Sequence, residues 1–238
     1  MIVGPVGNSR KGWMWSDSRV RDGSLLEVRF AGRGMSEAAE FVPSEISLAR
    51  CRQEHSARVL AARPGDCGAG DALVTDRPSL ALAVVTADCV PVLLAAGERL
   101  AAVHAGWRGL AAEILPAAVA ALEAGSGEIS AWIGPAIGSC CYEVGEEVAG
   151  EVVAASDPAV RHDVSKSGGP RRRPHLDLSL AALHQLAAAG VRDVRMVPAC
   201  TRCEEDLLCS YRRDGPRGVE GESGAGRNMA IIWRTETL

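Results

Sequence analysis

The sequence predicts an α+β fold in which mixed β-sheets are sandwiched by α-helices. Short apolar runs bounded by turn residues alternate with Ala/Leu-rich periodic stretches, but without the regular βαβα repeat of a doubly wound sheet. At 238 residues and 47% hydrophobic, the chain has enough apolar mass for a substantial core. Neither an internal repeat nor a linker interrupts it.

The elements follow in order. SLLEVRFAG (24–32) reads as a strand running into a Gly-rich turn. SEISLARCRQEH opens on an N-cap residue, Ser44, and its spacing fits a short helix or an extended run equally well. DALVTD (71–76) and LALAVVTAD (80–88) read as strands, the second apolar enough for burial on both faces. LAAVHAG (100–106) is a further short strand.

GLAAEILPAAVAALEAGSG reads as a helix closing at Gly125, with Pro116 imposing a kink or a late start. EISAWIGP is a strand entering a Gly-Pro turn, and GEEVAGEVVAAS a second helix. SKSGGPRRRP (165–174) has the composition of an exposed basic loop. LDLSLAALHQLAAAGV is a third helix stopped by Gly190, VRDVRMVPA a strand, and MAIIWR the last strand.

Bulk charge narrows the function. A net charge of −4 lacks the basic excess of a nucleic-acid binder. No apolar run reaches the ~18 residues of a membrane span, and the first residues have no continuous apolar stretch of a secretory signal. The reading is cytoplasmic, so the eight cysteines are expected as thiols, metal ligands or core residues rather than disulfides.

Chemistry concentrates where apolar runs end. Asp88 and Cys89 interrupt a run built for burial, where a charge is costly unless it is used or paired. His104 ends the next strand and is followed by Gly-Trp-Arg-Gly. Paired side by side, these strand ends would bring Cys89 and His104 together. A thiolate with neutral imidazoles suits zinc or copper, and a Cys/His pair equally suits a nucleophile with its base. His55, in RQEHSARV beside Gln53, is the third candidate, whereas His162, His175 and His184 read as ordinary surface or structural side chains.

Cys200 and Cys203 form a lone C-x-x-C, expected as a reduced, partly buried pair, with a second structural metal as the alternative. The zinc-deaminase signature is not met, because Glu54 precedes His55 and Ala199 separates Pro198 from Cys200. The adjacent Cys140 and Cys141 are expected to pack, and GPAIG before them to be a turn whose backbone approaches something closely. In the Arg/Gly-rich C-terminal stretch, Arg212, Arg213 and Arg227 are candidates for an anion clamp around a loop folding over a pocket.

TADCVPVLL, AAVHAGWRGLAAEIL, WIGPAIGSCCYEVGEEV, HLDL and SYRRDG…GRNMAIIW together resemble the YfiH family, also called the laccase-domain or polyphenol-oxidase-like family. The resemblance runs from about Gln53 to Trp233. It implies a single domain spanning 1–238 and a metal, usually zinc, held by His55, Cys89 and His104. It also implies purine nucleosides and phosphate as partners: phosphorolysis of adenosine, inosine, guanosine and methylthioadenosine, with adenosine deamination besides. Asp88 is then the candidate proton carrier, and Arg33, Gln53, Arg212, Arg213 and Arg227 the candidate substrate or phosphate ligands.

This chain departs from the family pattern in places. Glu54 stands where the family's Q-V-H has Val, the segment from FAGRGMS to Gln53 is short, and Cys209 replaces an aromatic. Rival readings are a cysteine amide hydrolase editing cell-wall precursors, with Cys89 as nucleophile, and a nucleoside-binding module with a structural metal. A multicopper oxidase is excluded by five histidines in all, though a single copper is compatible with the site.

Overall fold

The computed structural model describes residues 8–9, 12–21, 24–34, 42–165, 172–219 and 226–236. The chain opens with strands β1 (Asn8–Ser9), β2 (Gly12–Arg21), β3 (Ser24–Ala31), β4 (Ser47–Arg52), β5 (Val59–Ala61), β6 (Gly65–Ala69) and β7 (Ala72–Thr75). The apolar runs of the sequence follow as β8 (Leu80–Thr86), β9 (Val90–Ala96) and β10 (Arg99–Ala105). Then come α1 (Trp107–Ala111), α2 (Ile114–Ala121), β11 (Ser130–Ile133) and α3 (Glu146–Ala154). The chain continues through β12 (Arg161–Ser165), β13 (Arg172–Leu176), α4 (Leu178–Ala188), β14 (Asp193–Met196), α5 (Tyr211–Val219) and β15 (Asn228–Glu236).

Two large sheets result, with strand orders β1-β2-β3-β15-β8-β4-β6 and β14-β11-β9-β10-β7-β5, and β12-β13 form a separate hairpin. Both large sheets are mixed: β4 runs parallel to β6 and β8, β11 to β14 and β5 to β7, and the remaining pairs are antiparallel. The α+β layering of mixed sheets and helices is therefore the fold observed.

The period-2 alternation of each strand sets the layers. Leu80, Leu82 and Val84 of β8 meet Leu93 and Ala95 of β9 and Leu100 and Ala102 of β10 between the sheets. The opposite faces of β9 and β10, through Val92, Leu94, Ala101 and Val103, pack on Leu110, Ile114, Leu115 and Leu186 of the helices. Burial on both faces explains why β9 and β10 lack the polar alternation of surface strands. Each fully buried Leu contributes about 2 kcal/mol of apolar burial.

Some local expectations change. The undecided run around Ser47 is a strand, because it pairs with β8 from Ser47 to Ala49. The predicted long helix is two short ones, broken at Glu113, which adopts the left-handed conformation (φ 58°). Pro116 falls in the first turn of α2, where its missing N–H costs no helical bond. That helix ends at Ala121, short of Gly125. Gly190 does stop α4, at φ 84°. The basic loop is in part a hairpin: Ser165 and Arg172–Pro174 lie in β12 and β13, and 166–171 fall outside the described residues. The stretch read as a C-terminal loop begins as helix α5, interrupted at Gly215 (φ 63°), before residues outside the described set.

Candidate metal centre

β9 and β10 form an antiparallel hairpin in which Val90 pairs with Ala105 and Pro91 with His104. Cys89 immediately precedes β9, so this register puts it beside the end of β10. His104 shares the alternation face of Leu100 and Ala102, the face between the sheets. The thiol and imidazole therefore meet where the inter-sheet layer ends. His55 arrives from the loop after β4, completing a group of three donors whose atoms all lie within 4.8 Å of one another. Cys89 Sγ is 3.8 Å from His55 Nε2, and the two imidazoles meet edge to face with ring centroids 4.8 Å apart.

Asp71, one residue before β7, organises this group. Its carboxylate is fully buried and accepts the backbone N–H groups of Glu54, His55 and Ser56 (3.2, 3.0 and 2.7 Å) and the Ser56 hydroxyl (2.9 Å). His104 Nδ1 lies 2.8 Å from the same carboxylate. One buried charge thus fixes both the His55 loop, where His55 itself has φ 61°, and the orientation of the His104 ring. Sequence reasoning missed Asp71; the available signal was an acid directly preceding the apolar run 72–74.

These contacts set the electrostatics. Burial alone would raise the Asp71 carboxyl, but hydrogen bonds from His104 and Ser56 hold it well below the usual carboxylate range. Burial opposes charge on His104, yet its bonds to Asp71 and Cys89 lift it to about 9. Burial pushes the Cys89 thiol up, and the two histidines outweigh that, bringing it down to about 7. The resulting donor set favours a thiolate at neutral pH.

A cavity of about 590 Å³ opens over the three donors, within the size range of small-molecule sites. Trp107, Tyr142 and Tyr211 give it aromatic walls, and Arg212 and Arg227 supply positive charge. The Arg212 guanidinium lies 5.1 Å from the Tyr142 ring centre and donates to the Glu143 carbonyl at 2.9 Å. Arg227 makes no hydrogen bond or ion pair with the described residues. Burial and the neighbouring Cys89 push the Tyr142 hydroxyl up to about 12, so it stays protonated.

Gln53 and Asp88 line the cavity with their polar groups engaged. The Gln53 amide exchanges hydrogen bonds with Val85 N and O (2.8 and 2.7 Å), prolonging the β4–β8 pairing. Asp88 has φ 101°, a conformation costing a non-glycine residue about 1–3 kcal/mol. Its carboxylate accepts from the Thr201 hydroxyl and the Arg212 backbone N–H, both at 2.7 Å. Arg33 and Arg213 do not line the cavity. Arg33 reaches Asp214 at 3.4 Å. Arg213 commits its guanidinium to Asp214 and the carbonyls of Thr201, Arg202 and Leu208. Glu54 points away toward Arg58, at 4.0 Å.

A larger groove, about 690 Å³, lies elsewhere and holds Arg19, Ser130, Asp193 and Arg234. Its Arg19, Ser130 and Asp193 pair with one another and it contains no His or Cys, so the chemistry points to the smaller cavity.

Residues 24–235 match the family model described as multi-copper polyphenol oxidoreductase laccase. The chain is 36% identical over 203 residues to a purine nucleoside phosphorylase of Pseudomonas aeruginosa, covering 84% of this chain and 78% of that one. It is 46% identical over 153 residues to one of Streptomyces coelicolor, covering 62% and 60%. With purine nucleoside phosphorylase YfiH of Escherichia coli it shares 36% over 170 residues, covering 68% and 63%. Of these last two it thus spans less than two thirds of the length. Among solved structures, a Neisseria meningitidis protein superposes with a TM-score of 0.73 at 28% identity, over 92% of this chain and 99% of that one. YlmD from Geobacillus stearothermophilus gives 0.72 at 28%, over 90% and 93%.

Proposed function

Since the chain belongs to the multi-copper polyphenol oxidoreductase laccase family, that of the YfiH-named proteins, we propose that it is a zinc-dependent purine nucleoside phosphorylase. The observation that carries this reading is the convergence of His55, Cys89 and His104 at a cavity with aromatic walls and two arginines.

The donor set fits zinc: a thiol pulled toward its thiolate, two imidazoles, and one ring tied through Nδ1 to a buried carboxylate, which leaves Nε2 to ligate. Bound there, the cation would supply Lewis acidity toward a substrate oxygen. A single copper is also compatible with these ligands, but the description "multi-copper" does not extend to them. His162, His175 and His184 are the only other histidines and none lines the cavity.

The remaining chemistry belongs to the chain. In phosphorolysis a phosphate oxygen bonds to C1′ as the glycosidic bond breaks, and the base departs with the electron pair and gains a proton. Arg227, and the donors of Arg212 not used by Glu143, hold the phosphate for that attack by position and charge. Trp107, Tyr142 and Tyr211 offer planar surfaces to the base, with the Tyr142 hydroxyl as a hydrogen-bond donor. Asp88 braces the cavity wall and retains free lone pairs for a proton. Adenosine, inosine, guanosine and methylthioadenosine are the proposed substrates, with adenosine deamination as a second activity of the same cavity.

Chromatography of products from adenosine and inosine, with and without phosphate, tests this. Phosphate-dependent release of free base, absent in Cys89→Ala, is the expected result; full activity in that variant overturns it. The low thiol of Cys89 beside His104 also favours a second reading, a cysteine amide hydrolase acting on muramyl-type precursors. Metal-free protein that hydrolyses such amides and releases no base would establish that reading instead.

A further inference from the structure

A second group of thiols lies outside the site just described. Cys140, Cys141, Cys200 and Cys203 bring their sulfurs within 4.8 Å of one another. This overturns the expectation that Cys140 and Cys141 are packing residues: Cys140 and Cys203 are exposed, and the other two are half-buried. Packing gives no reason to gather four thiols at a surface.

The backbone does give one. Residues 138–142 form a turn in which Cys141 N and Tyr142 N both donate to the Gly138 carbonyl (2.9 and 3.0 Å). A turn, unlike a strand, lets adjacent side chains address the same point. Opposite it, Cys203 N and Glu204 N donate to the Cys200 carbonyl (3.1 and 3.0 Å), curling the C-x-x-C about one locus. Gly138 N donates to Cys200 Sγ at 3.2 Å, a bond that supports a thiolate. A Cβ on Gly138 would lie 3.3 Å from Cys140 Sγ, so any larger residue there would push that sulfur aside by a few tenths of an ångström.

The sulfur spacing suits a shared ion and not a disulfide. Cys203 Sγ stands 3.5 Å from Cys141 Sγ and 3.7 Å from Cys140 Sγ. A disulfide needs ~2.05 Å, whereas four thiolates at ~2.3 Å from one tetrahedral ion stand about 3.8 Å apart. We propose that these four cysteines bind a single structural zinc-class cation, distinct from the ion at His55, Cys89 and His104.

Such an ion has a definite place in the fold. It clamps 138–142 to 200–203, segments already linked by the Gly138 N to Cys200 Sγ bond and, next to them, by the Ala136–Cys200 bridge and the Thr201 N to Ala136 O bond (3.0 Å). Between two of the ligands sits Thr201, whose hydroxyl holds Asp88, and directly after another sits Tyr142 of the cavity wall. The ion therefore fixes the wall facing the first site without touching substrate.

The test compares protein purified without chelator with a Cys200→Ser/Cys203→Ser double variant. Total metal per chain and the spectrum after cobalt loading are read. The double variant is expected to hold about one metal ion fewer per chain and to lose the intense sulfur-to-cobalt absorption of a four-thiolate site. Cys89→Ala keeps that absorption, which separates this site from the first whatever the first one binds. If the double variant does not fold, anomalous scattering at the zinc edge from crystals of the unaltered chain decides, a peak enclosed by the four sulfurs being expected. No peak there, equal metal in both proteins, acid-labile sulfide from an iron–sulfur cluster, or a disulfide among these cysteines in anaerobically purified protein overturns the proposal.

Discussion

At the residue scale, Asp71 and Cys89 carry the tightest constraints. Asp71→Asn replaces a carboxylate oxygen by an N–H₂ that must face the backbone N–H groups of Glu54, His55 and Ser56 or the His104 ring. We expect metal affinity to fall about 10–100-fold, with about 3 kcal/mol of destabilisation, read by metal titration and denaturant unfolding. For Cys89 the sign of the pH effect follows from its lowered thiol. The thiolate is the reactive form, so in chelated protein the alkylation rate of Cys89 should rise with pH and reach its midpoint at about 7 rather than the ordinary 9.0. Metal should protect the sulfur, and metal affinity should weaken below that pH as the thiol regains its proton. A midpoint near 9 would show that the histidines do not polarise the sulfur. Cys89 and His104 were legible in the sequence because each breaks an apolar run. Asp71 was not, because an acid before a strand looks the same whether it caps a turn in solvent or anchors a loop from within.

Among the elements, two backbone positions show how local geometry serves the site. Gly106 separates β10 from α1, and a Cβ there would lie 2.9 Å from His55 Cδ2 and 3.0 Å from Cys89 Sγ. Gly106→Ala should therefore displace the donors and abolish metal loading, while circular dichroism shows the fold retained. Normal loading would mean that the His55 loop yields freely, contrary to its four bonds to Asp71. Glu113 separates α1 from α2 at φ 58°, away from the cavity. Glu113→Gly relieves that strain and should stabilise the fold by about 1 kcal/mol, raising Tm by about 2–4 °C in a chain of this size with turnover unchanged. The strands were readable because apolar runs and turn residues mark them directly. The split of α1 from α2 was not, because Ala/Leu-rich sequence keeps helical propensity across a break that tertiary packing imposes. The Cys140–Cys141 turn was hidden likewise, since its partner segment lies about sixty residues away.

For the whole molecule, the position of the site follows from how the two sheets are joined. His55 follows β4 of the seven-stranded sheet, and His104 belongs to β10 of the six-stranded one. Cys89 stands in the crossover from β8 to β9, where the chain passes between sheets. An ion held by all three is thus a cross-link between the layers, added to the apolar contacts and the Asp71 hydrogen bonds that already join them at this end. Binding should stabilise the native state by RT ln(1 + [M]/Kd), about 2.7 kcal/mol at a free metal concentration of ~100 Kd. That is a rise in Tm of about 5–11 °C, lost on chelation. Leu93→Ala, in the layer between the sheets, should cost about 2–5 kcal/mol yet leave the metal-dependent increment in Tm intact, because the cavity it opens lies inside the core and the ligands keep their anchors. Calorimetry of both proteins with and without chelator separates the two contributions. If Leu93→Ala also erases the increment, the ligands are positioned by the core packing as a whole, and the Asp71 anchor is not sufficient to hold them.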